Sequence, residues 1–136
     1  MDEQPSTPAA DRCPCGRASY DTCCGPLHRG DKQATTAEQL MRSRYSAFAR
    51  NDDAYLLRTW DTRTRPRRIT FDPAMRWLRL DVLDVSGGGL LDTEGAVEFD
   101  AHFLEHDRRS VLHERSLFVK AGGRWTYVGP VAAHVD

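Results

Sequence analysis

An α+β fold is the architecture this 136-residue sequence predicts, and three observations predict it. A cysteine-rich turn comes first, a stretch of helical period begins at Thr36, and a stretch with a period near two fills the C-terminal half. Helices followed by consecutive hairpins predict an antiparallel sheet with the helices covering one of its faces. Apolar residues make up 40% of the chain and charged residues 29%, which excludes wholesale disorder and predicts one core with a small appendage. The net charge of −1 argues against a dedicated nucleic-acid binder. There is no apolar run of about 18 residues, so no membrane span is expected. The acidic opening Met1-Asp2-Glu3-Gln4-Pro5 is unlike a signal peptide, and the expected compartment is the cytoplasm.

Residues 1–12 hold two prolines among small and polar residues and read as a flexible lead-in. All four cysteines then fall between positions 13 and 24, as Cys13-Pro14-Cys15-Gly16 and Cys23-Cys24. Four thiolates on one short loop are the minimum set for a tetrahedral structural Zn2+ site. Disulfides fit poorly, because adjacent and two-apart cysteines are awkward to bridge independently; a redox thiol cluster is the other alternative. His28 is read as an exposed loop residue, with a fourth-ligand role in reserve. The knuckle is assigned residues 13–30 and the main domain residues 31–136.

Thr36 with Gln39 three residues on makes a capping box, and Leu40, Met41, Tyr45, Phe48 and Ala49 form the apolar stripe of a helix to about Ala49. Asn51-Asp52-Asp53 ends it and starts a second helix to about Trp60. Arg63, Arg65, Arg67 and Arg68 form a basic run, read as a solvated loop or an anion contact. Pro73 at a first turn predicts a short third helix over 72–77. Leu78, Leu80, Val82 and Val85 predict the first strand and Gly87-Gly88-Gly89 a turn. The second strand runs from Gly95 to Glu105, with Val97, Phe99, Ala101 and Phe103 on one face. His106 to Arg109 turns the chain, Val111 to Lys120 is the third strand, and a hairpin at Gly122-Gly123 leads to the fourth, Arg124 to Val128.

These segments resemble the YchJ-like family of bacterial proteins. The cysteine motif is similar to that family's zinc motif, which is related to the metal-binding tail of the SecA translocation ATPase. The run from Leu40 to Phe48 with Tyr55-Leu56 and Thr59-Trp60 resembles its helical segment, and His113 to Phe118 with Gly123 to Tyr127 its paired strands. The loop between Cys15 and Cys23 is slightly shorter than in the family's pattern. The resemblance implies the cone-like fold of nuclear transport factor 2, a curved sheet wrapped on helices around a pocket.

On that footing the pocket candidates are Arg44, Tyr45, Trp60, His113, Arg115, Trp125 and Tyr127, with Glu114 considered beside them. Strand alternation puts His113 and Arg115 on one face and Glu114 and Ser116 on the other, which argues against a His113–Glu114 dyad. Arg44 and Glu114 are read as an ion pair holding helix to sheet. A four-cysteine site has no open coordination position, so the zinc is expected to organise the loop rather than catalyse. The ordered loop then presents Arg17, Tyr20, Leu27 and Arg29 to a protein or ribosome partner. The cone is expected to take a small apolar ligand, or alternatively to act as an isomerase or dehydratase, and the resemblance implies a homodimer through the open sheet face.

Overall fold

The computed structural model describes residues 11–131, so most of the lead-in expected over residues 1–12 lies outside the described residues. The knuckle contains a 3-10 turn, Tyr20–Thr22, and the short helix α1, Gly25–His28. Helices α2, Ala37–Ala49, and α3, Asp53–Arg58, precede the strands β1, Met75–Gly87, β2, Glu94–Glu105, β3, Arg108–Ala121, and β4, Arg124–Pro130. The strands form one antiparallel sheet in the order β1-β2-β3-β4.

Helix α2 starts where its cap predicts. The Thr36 hydroxyl accepts from the Gln39 amide at 3.1 Å, while the Gln39 side chain reaches back to the Thr35 amide at 2.8 Å, one residue short of a reciprocal box. The helix buries Leu40 and Met41, but also Ser43, Arg44 and Ser46, because it has neighbours on more than one side. It packs against β1, β2 and β4 and also meets α1. Asp52 caps α3 by accepting from the Tyr55 amide at 3.1 Å. That helix stops at Arg58 rather than Trp60, because the next residues pair with β4: the Tyr127 amide donates to Thr59 and the Asp61 amide to Tyr127.

The third helix expected over 72–77 does not form. Asp72 closes a turn onto Ala74 and Met75, and β1 begins at Met75, where Met75 pairs with Glu105 and Trp77 with Phe103. Cross-strand pairing and the packing of the half-buried Trp77 against Tyr45 and Phe103 outweigh the local signal of Pro73. Nor does β1 keep one apolar face. Register shifts at Leu78 and Leu83 interrupt the alternation, so Leu80 is buried while Leu78 and Val85 are exposed. Such bulges bend a strand, and β1 packs against α2. Two-residue turns at His106-Asp107 and Gly122-Gly123, all four residues with positive φ, join the later strands. Arg108 and Arg109 therefore belong to β3, not to the turn.

The inner face of the sheet carries Leu80, Val97, Phe99, Ala101, Phe118 and Trp125, packed on Leu40, Met41, Tyr45, Tyr55 and Leu56.

Candidate metal centre and adjoining cavity

Backbone bonds from Cys13 to Ala18 and from Gly16 to Cys13 close the first half of the knuckle into a tight turn. Gly16 has a φ of 91°, a conformation a side chain would strain. Cys23 and Cys24 lead into α1, and the four sulfurs converge within 4.8 Å of one another. Cys15 and Cys23 Sγ are 3.5 Å apart, and those of Cys23 and Cys24 are 4.0 Å apart. A tetrahedral ion with bonds of about 2.3 Å holds its sulfurs roughly 3.8 Å apart, so the residues fit such an ion. All four cysteines are free thiols, and three are buried. Crowding drives their ionisation apart. Hydrogen bonds from Cys15 and Cys24 hold Cys13 far below the ordinary thiol range. Those with Cys13 and Cys15 push Cys24 far above it, and burial takes Cys23 up to about 12. Only a cation lets all four ionise together.

The centre rests on α2. Ser46 places its hydroxyl 3.3 Å from both Cys13 Sγ and Cys24 Sγ. Arg42 donates to the Cys15 carbonyl at 3.3 Å, and Arg58 of α3 to the carbonyls of Leu27 and His28. His28 is buried rather than exposed, contrary to expectation, and it stands outside the group of four cysteines that could hold a metal. Its Nε2 donates to the Ser43 carbonyl at 2.8 Å, and Nδ1 accepts from the Tyr20 hydroxyl at 2.6 Å. The carbonyl can only accept, which assigns the proton to Nε2. Burial lowers the basicity of this ring. Of the surface expected to face a partner, Leu27 is buried in the core and Tyr20 is half-buried beneath Arg50. Arg17 is held by Glu38, while Arg29 stays exposed beside Asp31.

The opposite side of α2 faces a cavity of about 710 Å³. Four expected residues line it: Arg44, Tyr45, Trp60 and Tyr127. Phe48, Phe71, Trp77, Phe99 and Phe118 complete an aromatic wall. At one end Glu114 accepts from the Ser116 hydroxyl at 2.6 Å and the Tyr127 hydroxyl at 2.9 Å. Arg44 is buried, and its guanidinium carbon lies 4.8 Å from the Trp60 ring centre and 4.6 Å from that of Tyr127. Burial brings Arg44 down to about 10, so it remains a cation at neutral pH. Burial, with Glu114 adding to it, raises the Tyr127 phenol. The expected Arg44–Glu114 ion pair is absent among the described residues: Arg44 binds Leu56 and Thr59 instead.

Three expected pocket residues lie elsewhere. His113 and Arg115 point to the outer face of the sheet, where His113 meets Asp100 at 2.7 Å and Arg115 meets Asp84 at 2.9 Å. Trp125 is buried nearer the start of α2, donating to the Thr35 carbonyl at 3.2 Å. Glu114, considered beside them, is the β3 side chain between His113 and Arg115 that does line the cavity. It pairs with Phe99 across β2, so the inward face named by Phe99 and Ala101 was the available signal. In the basic run, Arg63 clamps the buried Asp61 at 2.9 Å and holds its carboxyl down at about 2. Arg65 borders a smaller polar cleft with Lys32, Arg58 and Arg124.

Residues 36–130 match the family described as the YchJ, middle NTF2-like domain. A UPF0225 protein of Streptomyces coelicolor is 52% identical over 116 residues, covering 85% of this chain and 90% of its relative. A UPF0225 protein of Corynebacterium efficiens is 46% identical over 89% of this chain and 94% of its own length. Among solved structures, the solution structure of a SEC-C motif containing protein from Rhodopseudomonas palustris superimposes with a TM-score of 0.75 at 39% identity, over 92% of this chain and 99% of the other. The crystal structure of a SEC-C motif containing protein from Psychrobacter arcticus gives 0.67 at 28% identity, over 88% of this chain and 81% of the other. No described helix is long and apolar enough to cross a membrane.

Proposed function

Since the chain belongs to the YchJ family of UPF0225 proteins, we propose that it is a cytoplasmic accessory protein in which a structural zinc ion fixes the knuckle and the conical domain binds a small apolar ligand. The observation that carries this reading is the convergence of four cysteine sulfurs within 4.8 Å, braced by Ser46 of the helix that also walls the cavity. Four thiolates saturate zinc, which leaves the ion a structural role and moves recognition to the cavity and to the exposed surface around Arg29. The likeness to two SEC-C motif containing proteins supports the metal reading.

The test is elemental analysis of protein purified without added metal, with native thiol titration. About one zinc per chain and thiols that react only after chelation is the expected result. Metal-free protein with four reactive thiols would overturn it in favour of a redox cluster. The isomerase or dehydratase reading is favoured by one observation, the Glu114 carboxylate fixed by Tyr127 and Ser116 within the cavity. Proton exchange at carbon in a bound ketone, lost in Glu114→Gln, would establish it.

A further inference from the structure

The cavity holds a buried cation that makes no ion pair among the described residues, with Glu114 acting on it only through space. Arg44 is 5% exposed, and Nη1 donates to the Leu56 carbonyl at 2.8 Å and the Thr59 hydroxyl at 2.7 Å. Those bonds use both Nη1 hydrogens, and the rest of the guanidinium has no acceptor among the described residues. No carboxylate there lies within ion-pair distance of it, and Glu114 is turned instead to two hydroxyls. Trp60, whose ring flanks Arg44 and lines the same cavity, has a buried Nε1 with no hydrogen-bond partner. A buried charge is normally paired and a buried N–H normally bonded, so two neighbouring exceptions need one explanation. The two rings around Arg44 offset only part of its desolvation.

An acceptor with a single negative charge meets both demands. A carboxylate can take two parallel bonds from a guanidinium and still offer a lone pair to an indole N–H. Glu114 in the same cavity disfavours a dianion such as a phosphomonoester. We infer that the cavity binds a small apolar carboxylic acid, its carboxylate between the Arg44 guanidinium and the Trp60 indole N–H and its body among Phe48, Phe71, Trp77 and Phe99. The volume of about 710 Å³ suits a molecule of that size. This deepens the ligand-binding reading above and rests on it.

The experiment titrates benzoate, 2-naphthoate and decanoate, each beside its methyl ester, into the full chain by calorimetry, with the Trp60 indole signal followed by NMR. The best acid should bind about tenfold or more tightly than its ester and shift that signal. Trp60→Phe keeps the ring and removes the N–H, and should weaken the acid several-fold and the ester, a poorer acceptor, by less. Arg44→Lys keeps the charge without the fork and should erase most of the preference. Equal binding of acid and ester overturns the carboxylate assignment but leaves a ligand cavity standing. Binding of neither, by any pair, removes both readings.

Discussion

His28 joins three parts of the molecule through one ring: it donates to Ser43 of α2, accepts from Tyr20 of the knuckle, and packs on Tyr55 of α3. Removing such a buried pair of bonds costs about 1–3 kcal/mol. His28→Phe should lower the denaturant midpoint accordingly. The pH dependence has a definite sign. The folded value lies below the ordinary 6.5, so the unfolded chain takes up the proton first as pH falls. Stability is full above 6.5 and is lost as pH drops from there toward the folded value. His113, raised by Asp100, runs the other way, stabilising below 6.5 and fading as pH rises through its folded value. His28→Phe should therefore flatten the acid-side loss in a pH series of melts, and a variant retaining the full loss would show that another group governs it. Ser46 braces two sulfurs at once. Ser46→Ala should weaken metal retention about tenfold in chelator competition, as loss of a ligand-orienting partner does.

Helix α2 owes its position to elements distant in the chain. The Ala37 amide donates to the Gly88 carbonyl at 2.9 Å, so the turn after β1 caps the helix start. Gly88 has a φ of 76°, and a side-chain carbon there would meet the Ala37 methyl at 2.6 Å. Gly88→Ala should cost about 2–4 kcal/mol, combining backbone strain with overpacking. Gly122→Ala separates the two effects, because its φ is 60° and no atom lies within 4 Å of the added carbon. It should cost only about 1–2 kcal/mol. Equal losses in urea titrations would refute the packing part. The predicted cap at Thr36 and strand β2 follow from local patterns, whereas the missing helix at 72–77 and the bulges of β1 do not. Pairing with Phe103 and Glu105 decides that segment, and those partners lie far along the chain.

At the scale of the whole molecule, α2 is a shared wall, with Ser43 and Ser46 toward the knuckle and Arg44 and Tyr45 toward the cavity. The boundary drawn between residues 13–30 and 31–136 is crossed by bonds from Arg42, Ser46 and Arg58. Metal removal is therefore expected to lower the melting of the whole domain in one transition and to raise hydrogen exchange along α2. A metal-free protein whose domain melts unchanged, with only residues near 13–28 losing protection, would show the knuckle to be an independent module.

Much of this protein is written locally. The four cysteines announce by type and spacing a group that could hold a metal ion, the 3.6-residue period announces α2, and alternation announces β2 and β3. What the sequence could not disclose is which side chains meet. His28 reads as a loop residue until α2 covers it, and Glu114 reads as half of an ion pair until the register with Phe99 turns it into the cavity. His113 and Arg115 carry more obvious chemistry, yet alternation sends them to the outer face. Local propensity and ligand spacing act over a few residues and are legible one segment at a time. Strand register, bulges and the packing of α2 set contacts across the chain, and only the folded structure decides those.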